Sequence, residues 1–221
     1  SEASEFFNFW RTTVTQLLDA DPIDVASSST KVSLLFAGVP FFDKLILFAD
    51  QTQFSLNSSD NLTSKTVSIQ NSTTCSCSKL CAPISIGRNM YFAFKRDNYS
   101  GVQEYFVSPD TQFLDGIDIT SSIPAYISGD ITKLVGSDNE QILIALSSGL
   151  TNGFYMYKFF TNGEEKLQSA WCSMTFDSLA TVKNADFIDN SLYVVLQRGA
   201  EGLFLERMDF QPSKKDPDSL Y

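Results

Sequence analysis

The residues best suited to chemistry in this chain are four cysteines, and three of them, Cys75, Cys77 and Cys81, crowd into one Ser/Thr-rich stretch, with Cys172 far downstream. A Cys-x-Cys-x3-Cys run with a distant fourth thiolate is a pattern that can hold a soft metal. Yet the three odd-numbered positions fall on one face of an extended strand, and a single strand cannot wrap three ligands tetrahedrally around zinc. They read as free thiols, and neither a metal nor another cofactor is expected. Histidine is absent altogether, which removes Ser-His-Asp and Cys-His catalysis, His-ligated zinc and haem with a proximal histidine.

Carboxylates are the remaining candidates. Asp19 to Asp24 resembles the start of a calcium loop, but the sixth position carries no Gly and Thr30 stands where a bidentate Glu is needed, so the run reads as a turn fixed by Pro22. Asp115, Asp118, Glu164 and Glu165 could serve a glycan-cleaving or glycan-binding site, with Trp10 or Trp171 as a sugar platform. That reading requires two carboxyl groups about 5 to 9.5 Å apart, and sequence spacing alone does not bring them together. Trp171, following Ser169-Ala170 in an apolar run, reads as packing. Phosphate-binding glycine loops and the nucleophile-elbow pattern are missing. The chain is predicted not to be an enzyme.

Charge points the same way. There are 16 Lys and Arg against 26 Asp and Glu, a formal net charge of -10. A domain that grips nucleic acid needs a basic face to neutralise phosphates. The cations able to touch a passing duplex are few: Arg88, Lys95, Arg96 and Arg198, with Lys214-Lys215 near the end. The four Asn-x-Ser/Thr triplets, at Asn57, Asn61, Asn71 and Asn98, are what a Ser/Thr-rich chain produces by chance.

The elements that must position these residues are strands. Phe occurs 19 times and Tyr 8 times, mixed with β-branched residues and divided by Gly, Asn and Asp, which is strand-and-turn composition. The sole helical candidate, Phe6 to Leu18, is interrupted by Thr12-Thr13-Val14-Thr15. Four apolar hairpins recur near 45–56, 90–106, 142–157 and 192–206, with Asn152-Gly153 and Glu201-Gly202 predicted as tight turns. A repeat of roughly 45 to 52 residues fits one four-stranded blade per repeat, with a solenoid or stacked sandwiches as the alternatives. The expected fold is therefore all-β, a β-propeller of antiparallel blades: residues 1–40 give outer strands of a truncated preceding blade and residues 41–221 about four repeats. Continuous apolar strands such as Leu45 to Phe48 predict burial on both faces. The first residues, Ser-Glu-Ala-Ser-Glu, carry neither an initiating Met nor a basic leader, so the chain reads as a fragment of something larger. No apolar run reaches the 18 or so residues of a spanning helix, so no membrane segment is expected. A peptide-binding scaffold propeller with Gly-His signatures is excluded by the missing histidines.

An ordered series of segments then carries a resemblance. Ser4-Glu5-Phe6-Phe7-Asn8-Phe9, Asp21-Pro22-Ile23-Asp24-Val25, Leu47-Phe48-Ala49-Asp50-Gln51-Thr52-Gln53-Phe54, Asn89-Met90-Tyr91-Phe92 and Glu165-Lys166-Leu167-Gln168-Ser169-Ala170-Trp171 resemble the tail nozzle (tail tubular protein B) family of short-tailed podoviruses of the autographivirus group. The Cys75-Ser76-Cys77 stretch and the Lys214-Lys215-Asp216 tail depart from that pattern.

The resemblance implies a structural virion protein at the tail tip, assembled in the host cytoplasm into a hexameric ring built around β-propellers. It also implies partners: a tail adaptor protein above the ring, the tail fibre protein, and double-stranded DNA that passes during genome ejection without sequence recognition. An acidic wall agrees, because it repels a polyanion and lets it slide.

Overall fold

The computed structural model describes residues 34–57, 63–108, 113–162 and 165–210. Every regular element among them is a β-strand, and among these described residues no helix is long and apolar enough to cross a membrane. The candidate helix at Phe6 to Leu18 and the acidic run at Asp19 to Asp24 lie outside the described residues. The chain divides into two compact units, Ser1–Cys77 with Ser108–Asp115, and Ser78–Val107 with Gly116–Tyr221.

The first unit contains sheet A, with strands β1 (Ala37–Phe41), β2 (Lys44–Phe48), β3 (Gln53–Asn57) and β4 (Ser68–Thr73) side by side in chain order. All three pairings are antiparallel. β1 pairs residue by residue with β2, so a boundary at residue 40 falls inside a strand of this sheet. Alternation sets the packing: Ile46 and Phe48 are buried, while Leu45 and Leu47 are only half-buried. Buried Gln53 stitches β3 to the segment after β4, donating to the Cys75 carbonyl at 2.8 Å and accepting from the Thr73 hydroxyl at 2.8 Å and the Cys75 amide at 3.0 Å. A polar residue is tolerated there because its amide is satisfied on both sides.

The second unit holds three further sheets. In sheet B the order is β5 (Ile84–Ile86), β6 (Asn89–Arg96), β7 (Tyr99–Val107) and β8 (Leu114–Asp118), with β9 (Ile127–Ser128) pairing β7; the last residues of β8 belong to this unit. Sheet C is β10 (Ile131–Ser137), β11 (Ile142–Ser147), β12 (Leu150–Asn162) and β13 (Glu165–Thr175). Sheet D is β14 (Ala180–Ile188), β15 (Ser191–Arg198) and β16 (Gly202–Asp209).

Sheet C is covered on both faces. Leu143 and Ala145 of β11 join a core with Tyr91, Ala93 and Val102 of sheet B, while Ile142, Ile144 and Leu146 point the other way into a core with Ala185, Leu192, Val194 and Leu196 of sheet D. A strand whose alternate residues enter two cores has no solvent face, which is why β11 reads as an unbroken apolar run. Ile144 and Val194 are both 0% exposed.

The strand-joining turns follow one habit and two corrections. Phe42-Asp43, Gly87-Arg88 and Asp189-Asn190 each join a first to a second strand, and the first residue of each pair has positive φ, at 52°, 57° and 53°. Gly87 and Asp189 tolerate that conformation; Phe42 bears it at a cost of about 1 kcal/mol or more. Asn152-Gly153, expected as a turn, instead lies inside β12, with Gly153 opposite Thr175. The turn is Ser148-Gly149, and Gly153 is required because a Cβ would overlap the Met174 carbonyl. Gly202 is the first residue of β16, with φ 122°, opposite Arg198, and the turn itself occupies Gly199 to Glu201.

Candidate functional site

Of the four predicted DNA-facing cations, three share one end of the sheets and one does not. Lys95 and Arg96 close β6, and Arg198 closes β15, the corresponding second strand of sheet D. Arg88 sits exposed in the turn that opens β6, roughly 26 Å from Arg96 along an extended strand. The structure therefore does not bring the four together.

The three at the shared end all face carboxylates. Lys95 pairs with Asp130 at 3.0 Å. Arg96 pairs with Asp118 and lies over the Phe94 ring, 5.0 Å from its centroid. Asp118 is itself oriented by Thr120, whose amide and hydroxyl donate to it at 2.8 and 2.6 Å. One Arg96 nitrogen, Nη1, is buried without a partner. Arg198 pairs with Glu206, whose hydrogen bond raises the guanidinium above its ordinary pKa. Local charge is thus compensated, and these side chains are spoken for before any phosphate arrives.

The densest polar cluster lies elsewhere, where sheets B and C meet. Glu104 of β7 is 5% exposed and its Oε1 accepts from Asn89 Nδ2 at 2.6 Å and from the Tyr91 hydroxyl at 2.8 Å. Its other oxygen pairs with Lys166 of β13. The Lys166 ammonium also reaches the Tyr157 hydroxyl at 3.3 Å and sits 5.4 Å from the centroids of Tyr157 and Phe159. A buried carboxylate persists here because all its partners are donors, two neutral and one charged. Burial first, and then the neighbouring Glu104, pushes the Tyr91 phenol far above its ordinary value. Nothing in single-strand periodicity singles out this cluster; the one available sign was a glutamate inside the second strand of an apolar hairpin.

A second polar link joins sheets C and D along their first strands. Lys133 Nζ donates to Asn184 Oδ1 at 2.9 Å and pairs with Asp186 at 3.2 Å, and Asn139 donates to Asn190 at 2.9 Å across neighbouring turns. Both clusters tie sheets together and neither leaves a group poised for chemistry.

The cysteine segment differs from expectation. Residues 74–83 form an irregular connector between β4 and β5, so Cys75, Cys77 and Cys81 share no strand face. All four cysteines are free thiols, and among the described residues no three His, Cys, Asp or Glu side chains gather as a metal site. Cys81 is buried in the core between sheets B and C, and that burial pushes its thiol up to about 11. Of the glycan candidates, Asp118 is engaged by Arg96 and Thr120, Asp115 is exposed, and Glu164 and the Glu165 side chain lie outside the described residues. Trp171 packs against the same core as Cys81 and donates its indole N–H to the Ile119 carbonyl at 3.1 Å, so it is no free sugar platform. Lys214-Lys215 and Trp10 are outside the described residues.

The model of the bacteriophage nozzle protein family matches residues 1–221. The tail tubular protein gp12 of Escherichia phage T7 is 34% identical over 217 residues, which cover 98% of this chain and 27% of that protein. The chain thus spans about a quarter of the length of the curated relative it matches.

Proposed function

The chain belongs to the bacteriophage nozzle protein family and is a structural component of the phage tail, hence of the virion; from that premise we propose that it forms part of the wall of a hexameric nozzle ring through which genomic DNA leaves the particle. The observation that carries the reading is the family match along all 221 residues. In this reading sheets A to D are propeller blades, each an antiparallel meander in chain order. The ring sits at the tail tip below the adaptor protein and touches the tail fibres near their junction.

Electrostatics supports passage over grip. Six copies carry about sixty formal negative charges, six times the chain's own ten, so a duplex entering the ring is repelled from its wall. Lys95, Arg96 and Arg198 are already paired with carboxylates. They and exposed Arg88 are the cations proposed to meet phosphate, and only transiently.

Two measurements test this. Electron micrographs of virions carrying a labelled version of the protein should show a six-fold ring at the tail tip; label on the head or along the fibres would sink the reading. The purified chain should bind duplex DNA with a Kd weaker than roughly 10⁻⁴ M at physiological salt. Micromolar binding with a steep salt dependence would replace the sliding role by a gripping one.

A further inference from the structure

A strand at the edge of a sheet offers a row of unpaired N–H and C=O groups, and such edges are ordinarily blunted by charge, proline, irregularity or shortness. The edge strands of this chain follow that habit with one exception. β1 carries Pro40, β8 carries Asp115 and Asp118, β10 carries Lys133, β14 carries Lys183 and Asp186, and β16 carries Glu206, Arg207 and Asp209. β4 and β5 are only six and three residues long. β13 has none of these devices over most of its length. It runs for 11 residues as the last strand of sheet C, and from Leu167 to Thr175 it holds no charge, proline or glycine. Its pairing with β12 is regular from Gln168 to Thr175, so the opposite edge is regular too. Leu167, Gln168, Ser169, Ala170, Ser173 and Thr175 are exposed, and among the described residues no strand pairs with that second edge.

Connectivity and symmetry narrow what can cover it. Sheet C already has four strands, and its flanking connections, Gly129-Asp130 before β10 and residues 176–179 after β13, lead directly to sheets B and D and leave no chain for a fifth. The sequence outside residues 34–210 precedes sheet A and follows sheet D, so it does not adjoin sheet C. A second copy is disfavoured as well. Two β13 edges pairing antiparallel with each other are related by a two-fold axis, whereas a six-fold ring needs a heterologous contact between unlike surfaces. The other edges of the chain, being charged, proline-bearing or short, offer β13 no matching partner for such a contact.

We propose that the free edge of β13, from Leu167 to Thr175, is a strand-addition site that an extended segment of a different virion protein occupies, extending sheet C to five strands. Main-chain hydrogen bonds supply the affinity in this mode, and side chains at alternate positions supply the choice of partner. The chemistry of the edge specifies the segment. It is uncharged, because a charge beside Leu167 to Thr175 finds no counter-charge on that strand. On one face its side chains lie alongside Trp171, which packs on the B–C core, and on the other alongside Met174, which packs on the C–D core, so β-branched or aliphatic residues at alternate positions fit both faces. The exclusion of a second copy rests on the six-fold ring proposed above; the free edge itself does not.

Hydrogen exchange tests this without any substitution. Alternate amides between Leu167 and Thr175 should exchange quickly in the purified full-length protein and about tenfold or more slower in intact virions. A photo-reactive Ser173→p-benzoylphenylalanine variant, assembled into virions and irradiated, should then cross-link to one extended segment of another virion protein, identified by sequencing the joined peptides. Exchange that is equally fast in virions would overturn the proposal, and if micrographs of the same particles showed the six-fold ring, the proposal would fail alone. Protection already present in the purified protein, or a cross-link to another part of the same polypeptide, would overturn it by showing that the nozzle chain covers its own edge. A cross-link joining Ser173 to the β13 strand of a second copy would overturn it too, and would count against the six-fold ring.

Discussion

The two seams that flank sheet C do the same job with different chemistry. Between B and C the core mixes apolar residues with Tyr91, Tyr155, Tyr157 and Cys81, and Glu104 and Lys166 form a charged pair beside it. Between C and D the buried residues of the core are Val, Ile, Leu, Phe and Ala alone, with Met, Phe and Val182 packed at the margins; the polar links described there are the Lys133 and Asn139 contacts. An apolar seam gains its stability from area removed from water and tolerates rearrangement among similar shapes. A seam with a buried carboxylate is held to one geometry, since any slip leaves charge unpaired. The B–C seam therefore fixes register, and the C–D seam supplies burial with no titratable group in its core.

The sharpest break is at Ile144, in the middle of the C–D core. Ile144→Asp puts an unpaired charge into a dry seam, and about 4 kcal/mol or more should be lost, enough to prevent folding. Soluble, cooperative unfolding of that variant at a near-native Tm would contradict the burial described for β11. Next comes the charged pair of the other seam. Lys166→Met strands Glu104 and should cost about 3 kcal/mol, whereas the double change Glu104→Gln/Lys166→Met should recover most of it. Chemical denaturation of the three proteins gives the coupling directly, and additive losses would show that the pair is not a unit.

Alkali should separate the seams without mutation. The native state holds the Cys81 and Tyr91 protons more tightly than the unfolded chain does, because burial raises both groups. Their contribution is complete below the unfolded values near 9 and 10 and is lost as pH rises, for Cys81 over the window up to about 11. Stability measured from pH 8 to 11 should fall, and Cys81→Ala with Tyr91→Phe should flatten the decline although the double variant starts lower. An unchanged slope would place the alkaline loss outside this seam.

Smaller effects follow at the edges. Trp171→Phe deletes the indole donor to Ile119 and should cost about 1 kcal/mol, read as a modest drop in Tm. Replacing Cys75, Cys77 and Cys81 together by Ser looks harmless if all three are exposed on one strand, but Cys77 and Cys81 are buried. The triple variant should lose about 1 to 2 kcal/mol, with Cys75→Ser alone contributing least. A stoichiometric metal in the purified protein would require a different account of all three.

How much of this was legible beforehand depends on the range of the interaction. The hairpin strands at Leu45, Met90, Ile142 and Leu192 announce themselves by short apolar runs between polar turns, because period-two alternation and turn chemistry are local. Gly153 misled because Asn-Gly is a turn signal only when no partner strand needs the space; here β13 passes so close that only Gly fits. The cations at 88, 95, 96 and 198 were visible as residue types, but the carboxylates that engage Lys95, Arg96 and Arg198 lie on other strands or loops of the fold. The Glu104 and Lys166 pairing was hidden for the same reason.

Composition alone determined that the chain is acidic and that histidine chemistry is closed to it, composition and turn patterning together pointed to the strands that make up every regular element of the described residues, and the ordered segments from Ser4 to Trp171 pointed to its family. Charge and residue type are fixed by identity whatever the packing, and the strand signals are short-range order that packing overrode only locally, as at Gly153. Tertiary structure alone decided that β11 is enclosed by two unlike cores, that Glu104 is held by groups from two other strands, and that Leu203 and Leu205 stand uncovered. Each depends on which sheet lies against which, and burial and ion pairing act through space between residues whose separation in sequence carries no record of the contact.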